Sequence, residues 1–397
     1  MNPPRVAFFT DSYHEVNGVA LTSREFAGFA RRRGFPFFSL HVGPETRHWR
    51  EDAFETVEIA NGKLVLNLDS DLHFDLRFLR HRPWVRERLR EFAPDLVHIT
   101  GPGHTGLLGA LLAHELKVPL VASWHTNVHE YGGRRLKRVL YGFPETWREN
   151  TAQWAENRSL DITMWFYNKA RLYFAPNREL VDLLAARTHK PAHLMQRGID
   201  SQLFSPERRK RRDDAFVIGF VGRLSPEKNL RQFQALESAL LAAGASNFRF
   251  LIVGEGSERV WLREHLRHAE LPGVRRGEQL AESYADMDVF AFPSETDTFG
   301  NVIVEAHASG VPAVVTNSGG PKFLVENGVN GFVAPDAASF CDAVLSLYRD
   351  REMLARFRGN ARRSALQRSW DAVFEGVYGH YAEAFGAGVL AAAKATA

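Results

Sequence analysis

Three acids, Glu295, Asp297 and Glu305, stand around the corner Phe299-Gly300 in the stretch PSETDTFGNVIVEAHASGVP, Pro293–Pro312. The apolar run Val289–Phe292 before it reads as a strand, and Asn301–Ser309 as a helix that stops at Gly310. A plain strand–turn–helix junction needs no acids, so their chemistry is of interest. The free N–H groups and positive dipole end of a helix start at Phe299-Gly300-Asn301 suit a phosphate or a sugar oxygen. Glu305 lies four residues beyond Asn301, on the same helix face, where a carboxylate can accept from paired hydroxyls such as those of a ribose. A second stretch, VIGFVGRLSPEKNLRQF, places Arg223 and Lys228 five residues apart just after another strand, and two cations there suit a diphosphate. Each feature alone has a plain reading: solvated turn cations and a solvent-facing helical Glu. Together they tip the balance toward a binding site, with cations for a diphosphate and a carboxylate for paired hydroxyls.

These residues need elements to hold them. In the first half, apolar runs predict strands at Arg5–Thr10, Phe37–Val42, Leu96–Ile99, Pro119–Ser123 and Tyr173–Pro176, with helices at Ala20–Arg33 and Thr105–Leu116. In the second half they predict strands at Phe216–Val221, Phe248–Val253, Val289–Phe292 and Ala313–Thr316. Helices are expected at Leu230–Ala243, Glu258–His268, Asn301–Ser309 and Ala338–Tyr348. Alternation of strand and helix implies an α/β chain of parallel sheets covered on both faces, with ligands beyond the carboxyl ends of the strands. The expected division is residues 1–204, a basic linker SPERRKRRDD at 205–214, a second domain at 215–368, and a C-terminal helix and tail at 369–397. That helix, with Phe374, Val377, Tyr381 and Phe385 on its apolar side, is expected to pack back across the joint.

The 397 residues supply material for two cores, with 45% hydrophobic and 24% charged residues. Cys341 is the only cysteine, so no internal disulfide forms and a reducing compartment fits. No signal peptide and no run of about 18 apolar residues is evident, which points to a cytoplasmic protein. The net charge of +3 is small; the basic linker reads as solvated, and no nucleic-acid partner is expected. GPGHTG, Gly101–Gly106, matches a dinucleotide fingerprint, but it is not in the first strand–helix unit and no acid ends the next strand. No nicotinamide cofactor is expected, and the glycines read as serving tight turns.

GRLSPEKNL and DTFGNVIVE resemble the retaining glycosyltransferases of family 4 over most of the chain. The resemblance implies the GT-B fold, two doubly wound Rossmann-like domains facing across a cleft. It implies phosphate binding by Arg223 and Lys228, with Phe299, Gly300 and Asn301 beside the donor and Glu305 on its ribose. The family's first acid, usually Glu, is Asp297 here, seven residues before Glu305, and would contact the transferred sugar. Glu295 does not fit that spacing. In the first half, Asn17-Gly18 resembles the family's glycine loop near the donor phosphates, and His125 its acceptor-side histidine. His129 stands four residues beyond His125; with no third ligand evident, no metal is expected. The implied catalytic set is His125, Asp297, Arg223 and Lys228, working without a cofactor on GDP-mannose or a UDP-hexose. Base contacts are expected near Val274–Glu278, which carry no readable code.

The acceptor is signalled more weakly. Arg77–Arg90 (RFLRHRPWVRERLR) and Arg134–Phe143 (RRLKRVLYGF) interleave basic and apolar residues, a pattern that suits an anionic membrane surface or, alternatively, two helices with core-facing apolar sides. SWHTNVHEY and SETDTFGNVIVEA resemble the branch of the family that glycosylates lipids such as diacylglycerol, including mannosyl- and sulfoquinovosyltransferases. The resulting expectation is a retaining hexosyltransferase acting on a lipid, peripheral on the inner face of the membrane. The alternatives are the same chemistry on a soluble or polysaccharide acceptor, and a sugar-nucleotide-binding protein without activity. Oligomeric state is not legible.

Overall fold

The computed structural model describes residues 3–15, 17–62, 65–69, 72–75, 77–125 and 145–385. His129 and the segment Arg134–Phe143 lie outside them. The chain forms two compact units, Met1–Gln196 with Asp371–Ala397, and Arg197–Trp370.

The first unit runs β1 (Val6–Thr10), α1 (Gly18–Arg33), β2 (Phe37–Gly43), β3 (Arg47–Glu51), β4 (Phe54–Ala60), β5 (Val65–Asp69), β6 (Leu72–Asp75), α2 (Arg82–Phe92) and β7 (Leu96–Ile99). It continues with α3 (His104–Leu116), β8 (Leu120–Ser123), α4 (Glu145–Tyr167), β9 (Leu172–Ala175), α5 (Arg178–Thr188) and β10 (Ala192–Leu194). Its main sheet has the order β10-β9-β8-β7-β1-β2-β4-β3, parallel except where β3 runs against β4. β1 is buried throughout, which is why VAFFT shows no alternation. Its neighbouring side chains point to opposite faces. Phe9 and Phe38 join a core with Val85 of α2, Leu108 and Leu112 of α3, Met164 of α4 and Leu184 of α5. Phe8 and Phe37 meet Phe26 of α1 on the other face.

The second unit runs β11 (Phe216–Val221), α6 (Gln232–Ala242), β12 (Phe248–Val253), α7 (Arg259–His265), β13 (Ala269–Gly273), α8 (Gly277–Ala285) and β14 (Val289–Phe292). It ends with α9 (Asn301–Ala308), β15 (Ala313–Thr316), β16 (Gly331–Ala334), α10 (Ala337–Arg349) and α11 (Arg351–Leu366). The order β13-β12-β11-β14-β15-β16 is all parallel, so the sheet is doubly wound about β11 and β14.

Two expectations about the joint need correction. The first unit ends at Gln196, and SPERRKRRDD belongs to the second unit. It is anchored rather than solvated: Arg209 and Arg211 both bind the buried carboxylate of Asp288, which also accepts from Val217 N and Arg358. The boundary between 368 and 369 is displaced slightly, and the last helix, α12 (Trp370–Ala384), is part of the first unit from Asp371 onward. There it covers the sheet face that α1 leaves open. Phe374 stacks on Phe26 with ring centres 4.7 Å apart and lies 5.7 Å from Phe29. Tyr381 OH meets His98 Nδ1 at 2.7 Å, and Arg32 pairs with Asp371 at 2.7 Å.

Phe374 is fully buried in this contact. Phe374→Ala is therefore expected to destabilise the first unit by about 3–5 kcal/mol, read as a lower denaturant midpoint at unchanged slope.

Candidate functional site

The expected donor residues of the second unit all lie where its strands end. β11 stops at Val221, and Arg223 follows, exposed, ahead of a 3-10 turn Pro226–Lys228. That turn brings Lys228 back over β14: its Nζ lies 2.8 Å from both Oδ1 and Oδ2 of Asp297. Ser294 Oγ donates to Asp297 Oδ2 at 2.6 Å, and its own carbonyl accepts from Thr316 Oγ1 at 2.8 Å. Asp297 is thus gripped from two strand ends. Burial opposes its ionisation, but the charge and hydrogen bonds of Lys228, with Ser294, outweigh it and hold the carboxyl below its usual range. The two residues that sequence reading gave to different parts of the donor, Lys228 and Asp297, form one pair.

The corner itself depends on glycine twice. Gly300 adopts φ 94° as it leads into α9, a conformation that side chains rarely adopt. Gly320, in the turn NSGG after β15, donates from its N–H to Asp297 O at 2.6 Å, and a Cβ there would lie 2.0 Å from Thr298 O. NSGG is therefore the surface against which the Asp297–Phe299 loop is moulded. Phe299 is buried, and Glu305 sits one turn into α9.

Glu305 accepts a 2.6 Å hydrogen bond from Tyr284 OH at the end of α8. Burial raises its pKa, and the Tyr284 bond offsets that only in part. Asp297 and Glu305 are pushed apart, the first kept ionised and the second moved toward protonation. Glu295 is exposed and takes no part in the Asp297 hydrogen-bond set. Val274–Glu278 leads into α8, with Val274 exposed.

Arg197 and Tyr284 were not foreseen. Arg197 is buried, donates from Nη1 to Asn301 Oδ1 at 2.9 Å, and lies 5.4 Å over the Phe299 ring. Both contacts span long stretches of chain, so no local spacing announces them.

In the first unit, Asn17 caps α1: its Oδ1 accepts from Ala20 N at 2.8 Å, and its Nδ2 donates to Ser12 Oγ at 2.9 Å. Gly18 opens that helix. His125 is buried just past β8. GPGHTG serves close approach: a Cβ on Gly106 would meet Gly101 O at 1.9 Å, and Thr105 N donates to Asp11 Oδ1. Among the described residues two groups have metal-ligating types within reach of one another, His14–His41–Glu58 and His193–His380–Glu383. Glu58 Oε2 already faces Arg47 at 3.2 Å and both histidines, which disfavours a further cation. His193 and His380 stack at 3.6 Å and each takes one oxygen of Glu383. Both groups belong to the first unit.

The segment Arg77–Arg90 divides its roles. Phe78, Val85 and Leu89 are core, and Arg82 and Arg86 pair with Glu115 of α3. Most of its apolar side is therefore not available to a bilayer, though Leu79 is exposed. Among the described residues no helix is long and apolar enough to cross a membrane.

With this geometry the family assignment follows. A model described as Glycosyltransferase Family 4 matches residues 16–203, and one described as Glycosyl transferases group 1 matches residues 215–350. A GDP-mannose-dependent alpha-mannosyltransferase of Mycobacterium tuberculosis is 36% identical over 95% of this chain and 96% of its own. The chain belongs to glycosyltransferase family 4. The sulfoquinovosyl transferase SQD2 of Arabidopsis thaliana is 29% identical over 73% of this chain and 57% of its own. HepE of Anabaena, solved with UDP, superposes with a TM-score of 0.68 over 95% of this chain and 99% of its own, at 18% identity. That likeness establishes the GT-B fold. This family-4 protein is a retaining hexosyltransferase that uses a nucleotide sugar, which favours the enzyme over the alternative of a binding protein without activity.

The opposed shifts of the two carboxyls can be measured. Lys228→Met is expected to raise the Asp297 pKa, and Tyr284→Phe to raise that of Glu305 further, both read by carboxyl-carbon NMR titration. Because the Asp297 value is lowered in the folded state, the stability linked to its pair is present above the unfolded value. It is lost as pH falls through the folded one.

Proposed function

We propose that this enzyme transfers mannose from GDP-mannose to a lipid acceptor at a membrane surface. The observation that carries the donor half is the 36% identity, over nearly the whole of both chains, to a protein named for GDP-mannose. The second unit supports it chemically. A departing GDP gathers negative charge on its diphosphate. Arg223, Lys228 and the N–H groups at Phe299–Asn301 are the donors assigned to that charge, in a setting where preorganised donors form the largest catalytic contribution. Asp297 is assigned to the transferred sugar and, through its 2.8 Å contacts, to aiming Lys228. Glu305, steadied by Tyr284, is assigned to the ribose hydroxyls. In the first unit, the Asn17-Gly18 turn is assigned to the donor phosphates through its backbone, since the Asn17 side chain is engaged in capping, and His125 to the acceptor. With protein cations assigned to the leaving group, the reaction is proposed to need no metal ion.

The lipid half rests on a surface that sequence reading did not single out. Trp154, Arg158, Ile162 and Trp165 are spaced by four, four and three residues and share one face of α4. Trp154, Ile162 and Trp165 are 66%, 62% and 67% exposed. Lys169 places its ammonium 4.5 Å from the Trp165 ring centre, and Arg158 is exposed. Tryptophan interleaved with cations suits the headgroup level of an anionic bilayer. α2 shares a core with α4, and Arg90 on α2 and Arg77 ahead of it are exposed, adding positive charge to the surface of this unit. The protein is accordingly assigned a peripheral place on the inner face of the membrane.

Two experiments test this reading. Arg223→Ala and Lys228→Ala are each expected to lower turnover with GDP-mannose by a factor of about 100 or more, while Glu305→Gln weakens donor binding and Glu295→Gln leaves both near normal. Near-normal turnover in both cation variants overturns the phosphate assignment, and loss of activity in chelator overturns metal independence. Separately, the double variant Trp154→Ser, Trp165→Ser is expected to sediment poorly with anionic vesicles while binding GDP-mannose normally. A wild-type protein that stays in the supernatant at every anionic content and salt level points instead to a soluble acceptor.

A further inference from the structure

Arg197 carries a charge with no ion pair of its own among the described residues. It is only 6% exposed, and its one hydrogen-bond acceptor among the described residues is the neutral Asn301 Oδ1, 2.9 Å from Nη1. Its one ring contact among the described residues, with Phe299, is also neutral. A guanidinium has five N–H donors, so four are left unused by the described residues. A buried ion is retained against its desolvation cost only when a partner completes it. Burial pulls the Arg197 pKa down to about 10, with Asp297 acting against that fall, so the group stays charged at neutral pH.

The surroundings indicate what kind of partner is missing. Among the described residues Asp297 is the one acid whose field reaches Arg197, and it is already held at 2.8 Å by Lys228. Glu305 is shifted toward its neutral form. Two buried or half-buried cations and the positive end of α9 therefore face a single committed carboxylate. The balance is positive, and Arg197 is fixed at that helix start by contacts to its first residue, Asn301, and to Phe299. A planar fork held at a helix N-terminus matches two phosphate oxygens at once.

We propose that Arg197 is a third cationic contact to the donor's diphosphate, gripping it through the guanidinium edge that Asn301 does not use. The proposal rests on reading the second unit as the donor site. Arg197 enters from the first residues of that unit, independently of the strand-end loops that carry Arg223 and Lys228. The leaving group is then held from two separate parts of the chain.

The test is calorimetric titration of GDP and of guanosine into wild type, Arg197→Met, Arg197→Lys and Lys228→Met. Arg197→Met is expected to weaken GDP by at least about tenfold, the equivalent of one charge-assisted hydrogen bond, and to leave guanosine unchanged. Arg197→Lys is expected to recover part of the loss. Equal losses for GDP and guanosine reduce Arg197 to a structural prop and overturn the proposal. If Lys228→Met weakens GDP and Arg197→Met does not, the proposal fails while the donor site stands; if neither variant matters, the donor-site reading itself has failed. Should Arg197→Met not fold, the arginine Nε resonance missing from the spectrum of Arg197→Lys decides the matter in wild type. It is expected to move on adding GDP but not guanosine, and a resonance indifferent to GDP overturns the proposal.

Discussion

The second unit is arranged around a mostly buried ion pair. Lys228 and Asp297 are 17% and 23% exposed and touch through both carboxylate oxygens. An ion pair with so little solvent is stable only if the remaining lone pairs and protons are satisfied, and the surrounding sequence does this. Ser294 takes one oxygen of Asp297, Gly320 takes its backbone carbonyl, and Thr316 secures Ser294. The ends of β11, β14 and β15 are tied to one another through these groups. The loop that would meet a sugar nucleotide is thus held by the same contacts that keep its acid charged.

A similar rule accounts for the error about the basic stretch. Charge runs read as solvated because a single sequence does not reveal a distant buried acid. Asp288, almost fully buried, draws Arg209, Arg211 and Arg358 toward it while also accepting from Val217 N. The stretch that reads as a solvated linker is the clamp that fastens the start of β11 to the unit it opens.

Legibility followed burial. β11, β12, β14 and β15 have the bounds expected of them because each is a mostly apolar, largely buried run, broken only by Arg249 in β12 and by Thr316 at the end of β15. β3 (RHWRE) is largely exposed, and β13 (AELPG) carries Pro and Gly at a sheet edge, so neither shows such a run. No helix expected from the sequence pattern covers α4, α5, α8 or α11. At the site, Lys228, Asp297 and Glu305 were legible because their spacing is local. Tyr284 and Arg197 act on residues 21 and 104 positions away, a relation that only the fold creates.

The first unit carries a constraint of a different sort, because it is discontinuous. Its parallel sheet is complete by β10, yet Phe26, Phe29 and Phe35 find their aromatic partners Phe374 and Tyr378 only after the whole second unit has intervened. Without α12, the outer side of α1 and the buried His98, whose Nδ1 meets Tyr381, would face water or stay unsatisfied. Burial has lowered the His98 pKa to about 3, so it is neutral in the finished fold but free to take a proton while uncovered. Domains usually complete themselves in the order of synthesis. Here the second unit, contiguous from Arg197 to Trp370, can close first, while the first unit waits for the chain's last helix. The covalent path therefore makes the stability of the first unit depend on segments far apart in the sequence.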